Sequence, residues 1–275
     1  SVAENPFRLV HHKEKGYSDC RGVSEDGAGN IYFLNTQLFQ WSPKTRTCKK
    51  LTDTEGAFGL MCVDSLLWAG DYTAKSLGFE IDLRTNKEIR YPVLDPNLHL
   101  AYTLAKTGNP DRLLVGQNKG LGYIDLKTKQ LAPFEGYNPD SDRDDLLKTS
   151  EVDYIYRNAS GIWLATDHGI FLMQEGKGIV RHYDMATGDL PFDHIRHLHE
   201  DKNGVFWLAT KGGGIIRWRP SLDGKKPSES RQFTTAEGLT DNYTYAVYED
   251  DYGKLWIPSD KGLMWMDKPS FRVRT

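Results

Sequence analysis

Cysteine is scarce in this chain of 275 residues: Cys20, Cys48 and Cys62 are odd in number and lie outside any Cys-x-x-Cys spacing. That excludes a disulfide framework. It reads as buried free thiols, with room for one bridge, and leaves the redox compartment open. Long apolar runs are also missing. The longest, Ala57 to Val63, covers about seven residues, against the ~20 a membrane-spanning helix needs. Charge of one sign is missing too, since 35 Lys+Arg against 38 Asp+Glu gives 35 − 38 = −3. A nucleic-acid binder would carry an excess of clustered basic residues, so that class is set aside. The first residues, Ser1 to Pro6, have no basic segment, no apolar segment and no initiator Met. This start reads as a mature or trimmed product. No convincing run of 10–15 residues at helical period is found.

Aromatic residues and glycine are plentiful: 7 Trp, 14 Tyr, 11 Phe and 26 Gly. With apolar stretches this short, they point to many short strands joined by tight turns. A repeat is visible. His199-Glu-Asp-Lys-Asn-Gly-Val-Phe-Trp-Leu-Ala-Thr210 returns as Tyr248-Glu-Asp-Asp-Tyr-Gly-Lys-Leu-Trp-Ile-Pro-Ser259. Further copies run from Arg157 and Ser24, with weaker ones from Asp111 and Ser65. Anchored on Tyr32, Trp68, Leu114, Trp163, Trp207 and Trp256, the spacings are 36, 46, 49, 44 and 49 residues. A period near 45 built from strands predicts an all-β fold, a β-propeller of about six four-stranded blades. The repeat cores fall near 14–50, 51–95, 98–134, 150–184, 185–234 and 235–275, within one domain spanning 1–275.

Each unit reads as a first strand ending at Glu-Asp, an Asp-x-x-Gly turn, an apolar second strand carrying the anchor, a Thr/Ser-x-x-Gly turn, a third strand and a polar fourth strand. In such turns Asp supplies side-chain hydrogen bonds and Gly tolerates positive φ. Trp207 and Trp256 are both expected in the packing between blades, where removing either costs ~3–5 kcal/mol. Seven segments compete to be six outer strands, from Phe7–His11 through Ser270–Thr275. Either Phe7-Arg-Leu-Val10 pairs with the last blade and leaves the tail spare, or the chain is a fragment of a longer propeller array.

Ala236-Glu-Gly-Leu-Thr-Asp-Asn-Tyr-Thr-Tyr-Ala-Val-Tyr-Glu-Asp-Asp-Tyr-Gly-Lys-Leu-Trp256 resembles the two-component regulator propeller repeat. Gly188 through Trp218 fits the same frame, as does Gly16 through Tyr32 with Tyr in place of Trp. The resemblance weakens over 51–135, where Cys62-Val-Asp-Ser-Leu-Leu lacks the Glu-Asp-x-x-Gly turn and Leu114 replaces Trp. It implies the extracytoplasmic sensor region of a bacterial hybrid histidine kinase, or a free-standing relative. The location implied is periplasmic or extracellular, with the signal or anchor outside this chain. The implied partners are an oligosaccharide or other small ligand, a partner protein, or C-terminal signalling domains. Such a role follows from family likeness rather than from any single residue.

Catalytic and metal motifs are thin. His197 and His199 share one strand face, as a metal site would want, but no third ligand stands at a fixed offset, and bonding to neighbouring blades explains them as well. Glu25-Asp26, Glu200-Asp201 and Glu249-Asp250 recur at one repeat position. That marks turn building, because catalysis needs such a pair once. Lys211-Gly-Gly-Gly214 lacks the order of a phosphate-binding loop. No cofactor, metal or catalytic residue is assigned. The acidic segment Glu135–Thr149 reads as solvated surface, with a lid or a cation site as alternatives.

Binding is expected where the loops entering the first strands meet those between second and third strands, since small-molecule sites favour concave places. The candidates there are Tyr17, His99, Tyr102, Glu151 and Asp153. His168, Asp193, His194, Lys211, Asn242, Tyr243 and Lys261 complete the set. Aromatic rings among paired polar groups would suit a sugar. The expected function is therefore a non-enzymatic sensor or binding propeller that recognises a carbohydrate or a partner protein. A secreted polysaccharide lyase or glycoside hydrolase, served by His194, Tyr243 and Lys211, is the enzymatic alternative. A protein-interaction scaffold is the third.

Overall fold

The computed structural model describes residues 22–34, 37–53, 57–63, 65–71, 78–91, 101–223, 226–227 and 229–274. Its strands form six four-stranded antiparallel sheets, each in simple chain order, which are the blades of a six-bladed β-propeller fold. The first blade holds β1 (Gly22–Glu25), β2 (Ile31–Leu34), β3 (Gln37–Ser42) and β4 (Thr47–Asp53). The second holds β5 (Ala57–Val63), β6 (Leu66–Asp71), β7 (Gly78–Asp82) and β8 (Lys87–Tyr91). The third holds β9 (Ala101–Lys106), β10 (Arg112–Gln117), β11 (Leu121–Asp125) and β12 (Gln130–Pro133). A helix, α1 (Asp142–Thr149), precedes the fourth blade, which holds β13 (Val152–Asn158), β14 (Gly161–Thr166), β15 (Gly169–Gln174) and β16 (Gly178–Tyr183). The fifth holds β17 (Ile195–Glu200), β18 (Phe206–Thr210), β19 (Ile215–Arg219) and β20 (Glu229–Phe233). The sixth holds β21 (Tyr248–Glu249), β22 (Lys254–Ser259), β23 (Gly262–Asp267) and β24 (Val273–Arg274).

By backbone contacts the chain divides near residues 93/94 into a unit with the first two blades and a unit with the last four. In the first unit, Tyr32, Leu34 and Leu38 pack on Leu67, Ala69, Phe79 and Ile81, so two apolar blade faces close on each other. In the second unit, Trp163 and Tyr183 of the fourth blade meet Phe206 and Trp218 of the fifth. The Trp163 and Phe206 rings are 4.9 Å apart, and the Tyr183 and Trp218 rings meet edge-on at 5.0 Å. Each large ring buries ~150–250 Å², which explains why second strands read as apolar throughout: both of their faces are covered.

All six anchors fall on second strands. The turn aspartate serves them directly. Asp201 Oδ1 accepts from the Asn203 and Val205 N–H groups, and its Oδ2 accepts from the Trp207 indole at 3.3 Å. The Asp250 carboxylate does the same for Tyr252, Lys254 and Trp256. Asp26 Oδ2 accepts from the Tyr32 hydroxyl at 2.8 Å. The recurring acidic pairs are therefore structural. In the second blade, which lacks this turn, buried Glu80 of β7 accepts from both the Trp68 indole and the Tyr91 hydroxyl.

Several expectations need correcting. Trp207 is fully buried, but Trp256 is only partly covered. The tail is not spare, because Val273–Arg274 pairs with Trp265 and Met266 as the last fourth strand. Phe7–His11 lies outside the described residues. The segment 135–149 is not simply solvated surface: Ser141 caps α1, three aspartates occupy its first turn, and Asp144 and Leu147 are buried. Acidic side chains near a helix N-terminus complement its dipole. Cys48 is a free, exposed thiol on β4 rather than a buried one, Cys62 on β5 is partly buried, and Cys20 lies outside the described residues. As expected of the histidines on β17, both bond to the neighbouring blade. His197 Nδ1 accepts from the Val247 N–H at 3.4 Å, and His199 Nε2 lies 3.4 Å from Glu249 Oε2. Burial, and secondarily the charge of His199, pulls His197 down to about 3, so its ring is neutral.

Candidate functional site

Within the second unit the first strands β9, β13 and β17 pack side by side. Each carries a bulge at the same place, near its start. Ala101 and Thr103 pair with Gln117 and Gly116, leaving Tyr102 extra. Val152 and Tyr154 pair with Thr166 and Ala165, leaving Asp153 extra. Ile195 and His197 pair with Thr210 and Ala209, leaving Arg196 extra. The first unit repeats the device on β5, where Gly59 is the extra residue. A bulge re-aims one side chain out of strand alternation. On β9, β13 and β17 the bulge thus takes Tyr102, Asp153 and Arg196 out of the strand's alternation.

Asp153 meets His194 of the next blade, with His194 Nε2 at 3.1 Å from Asp153 Oδ2. Beside them is the Glu151 carboxyl. Burial chiefly, then the neighbouring Asp153 charge, hold it above the usual carboxylate range, while Lys211 and His194 pull the other way. The Tyr102 phenol is pushed up to about 12 by burial first and by the Glu151 and Asp153 charges second. Backbone contacts hold these segments in place: the Glu151 N–H donates to Asp167 Oδ1 at 2.9 Å, and the Lys211 N–H donates to the His194 carbonyl at 3.0 Å.

An aromatic edge adjoins the cluster. Gly213 backs directly onto the Phe192 ring, where a Cβ would approach to 2.5 Å. At Gly214, with φ of +76°, a Cβ would stand 2.1 Å from the Phe233 carbonyl oxygen. Gly213 and Gly214 are thus required by close packing, and Gly212 by its φ of +114°. Tyr243 pairs across to Lys211 and keeps 48% of its surface exposed.

Of the residues expected at this mouth, the structure gathers Tyr102, Glu151, Asp153, His194 and Lys211, with Tyr243 beside Lys211. Others have structural duties. Asp193 Oδ1 accepts from the Met185 N–H at 2.7 Å, and Asn242 Oδ1 accepts from the Thr235 N–H at 2.8 Å. His168 Nδ1 pairs with Asp167 at 2.8 Å, and the Lys261 N–H donates to Ser259 Oγ in a turn. Tyr17 and His99 lie outside the described residues. Sequence reasoning missed Asp167 and Phe192, which adjoin residues it did select. It also missed a cavity of about 390 Å³ between the third and fourth blades, lined by Tyr123, Phe134, Tyr137, Arg157, Glu175 and others.

Residues 189–212 match the two component regulator propeller family, so the chain carries a repeat of that family. The structure is similar to the extracellular domain of a B. thetaiotaomicron protein described as a hybrid two component system. That likeness has a TM-score of 0.71 at 13% identity and covers 94% of this chain and 34% of that one. It is also similar to virginiamycin B lyase from Staphylococcus aureus, with a TM-score of 0.66 at 12% identity, covering 93% of this chain and 83% of the lyase. At such identities the likeness is one of fold. A 28% identical stretch of 124 residues relates 42% of this chain to 21% of a Staphylococcus aureus 2-succinyl-5-enolpyruvyl-6-hydroxy-3-cyclohexene-1-carboxylate synthase. The chain thus spans about a fifth of the length of that curated relative.

Proposed function

We propose that this chain is a ligand-binding sensor propeller of two-component signalling, acting outside the cytoplasm and without catalysis, with residues 1–275 as one propeller domain. Its ligand is a carbohydrate held at the mouth formed by Tyr102, Glu151, Asp153, His194 and Lys211. One observation carries the reading: the bulge residues Tyr102 and Asp153 lie near a half-buried carboxyl, Glu151, that burial and the Asp153 charge hold above the usual carboxylate range. Groups held in so unfavourable a state are characteristic of functional sites. Carboxylates, an imidazole and an ammonium can fix sugar hydroxyls, while the exposed Tyr243 ring offers a face for C–H stacking. The regulator-propeller repeat and the extracellular two-component neighbour support the setting.

A thermal-shift screen against an oligosaccharide panel, with each sugar also assayed for turnover, tests this. Ligand at 100 times its Kd adds ~2.7 kcal/mol, a rise of several degrees in a chain of this size. A shift without turnover supports the sensor; silence moves the reading to a partner protein that docks on the blades. The His194–Asp153 pair favours a second reading, a polysaccharide lyase or glycoside hydrolase. In it the carboxylate orients the imidazole as a base and Lys211 meets an acidic sugar. Absorbance from an unsaturated product, made from a uronic-acid polymer and lost in His194→Ala, would establish a lyase and sink the non-enzymatic reading.

A further inference from the structure

We propose that Glu151, Asp153 and His194 form a binding site for a divalent transition-metal cation of the zinc or manganese class. Each residue offers one ligand atom, and the three atoms lie within 4.8 Å of one another. Neighbouring ligands at ~2.0–2.2 Å from a tetrahedral cation stand roughly 3.3–3.5 Å apart. His194 Nε2 and Asp153 Oδ2, at 3.1 Å, already have nearly that spacing. The Glu151 oxygen lies within 4.8 Å of both and has to move inward to complete the trio.

The donor set selects the class of ion. Imidazole suits zinc and its neighbours and carboxylate suits manganese, whereas calcium takes six to eight oxygens. Charge points the same way. The fold brings two carboxylates and an imidazole within 4.8 Å of one another, so a cation among the three offsets a repulsion between Glu151 and Asp153 that is already built in. Lys211 is the resident counter-charge at Glu151 and competes for the place. Support comes from behind the ligands, where Asp167 holds the Glu151 backbone and the Lys211 N–H holds the His194 carbonyl. The Asp153 and His194 side chains are 10% and 20% exposed, which gives an ion a path in. Three protein ligands leave a fourth position open to an outside oxygen. The site stands on donor geometry and needs no sugar to form, although a bound sugar hydroxyl could take that position.

Isothermal titration of the chelator-treated chain with ZnCl2 and with MnCl2 alone tests the site, with Co2+ absorption as a second probe. We expect one equivalent to bind. His194→Ala and Asp153→Asn should each weaken binding by about 100-fold or more, at least the loss seen when a supporting residue is removed. Circular dichroism of both variants checks that they fold. His194→Ala should also abolish the Co2+ bands assigned to nitrogen ligation. Failure to bind either metal, binding that survives both substitutions, or Ca2+ binding tighter than Zn2+ and Mn2+ overturns the site. Repeating the oligosaccharide panel with and without metal separates the two ideas. Metal binding beside a silent panel counts against the sugar reading alone, and sugar binding by a chain that takes up no metal counts against this one alone.

Discussion

The indole Nε1 of Trp207 donates to Asp201 Oδ2, so the turn residue of the fifth blade and its buried anchor are one hydrogen-bonded unit. Lys268 Nζ adds a 2.8 Å bond to the same oxygen and bonds at 2.9 Å to Glu249 in the sixth blade. Asp201→Ala therefore removes two turn bonds, the indole acceptor and an inter-blade ion pair at a buried place. Breaking a buried, multiply bonded carboxylate costs ~3–5 kcal/mol. Urea unfolding measures it; a loss below about 1 kcal/mol would show that the turn closes without its aspartate.

The two terminal-repeat tryptophans should part company. Trp207 is fully buried between β-strands, and its removal should cost ~3–5 kcal/mol. Trp256 occupies the same repeat position but is only partly covered, with its ring 6.4 Å from that of Trp265. Trp256→Ala should cost about 1–2 kcal/mol, in proportion to the smaller area it hides. Chemical denaturation of both variants decides; equal losses would mean that position in the repeat, rather than burial, sets the energy.

Much of this fold is legible in the sequence because one physical need recurs. A buried indole or phenol wants an acceptor, and Asp26, Asp201 and Asp250 supply it six residues earlier in chain, a spacing visible by eye. The second blade hides because its acceptor, Glu80, comes from the next strand instead, and the third because Leu114 needs none. The site is harder to read. Asp153 and His194 are 41 residues apart and meet only because first strands lie side by side. Nothing in the letters marks Tyr102 and Asp153 as bulge residues, since neither is glycine. Helix α1 escapes because it is short and polar, with Leu147 its one fully buried apolar residue.

Acid should unfold the chain through the turn aspartates. Burial raises Asp26, Asp201 and Asp250, but their turn, aromatic and, for Asp201, Lys268 bonds outweigh it and hold each below the ordinary 3.8. A depressed folded value means that the stabilisation is complete above the unfolded value and is lost as pH falls through the folded one. The contribution of these aspartates should be flat from neutrality to about pH 5 and drop below about pH 4. Asp201→Asn should flatten that drop, measured as urea midpoint against pH; an unchanged slope would place the acid sensitivity elsewhere.

Glu151 should behave in the opposite sense. Its carboxyl is raised, by burial first and by Asp153 second. A raised carboxyl contributes stability that is fully present below the unfolded value of 4.5 and lost as pH rises through the folded one. Ionising Glu151 as pH rises therefore costs the fold stability. Glu151→Gln keeps the shape, removes the charge and should stabilise the metal-free chain by about 0.5–1 kcal/mol, the low end of what relieving a strained functional site gives. Near pH 4 and below, wild type is itself protonated at this position, and the difference should vanish. Thermal melts of both proteins at pH 7 and pH 4, in the presence of chelator, test this. If Gln is stabilising at neither pH, Lys211 already neutralises the carboxylate, and Glu151 is a structural ion-pair partner rather than a group held ready for a ligand.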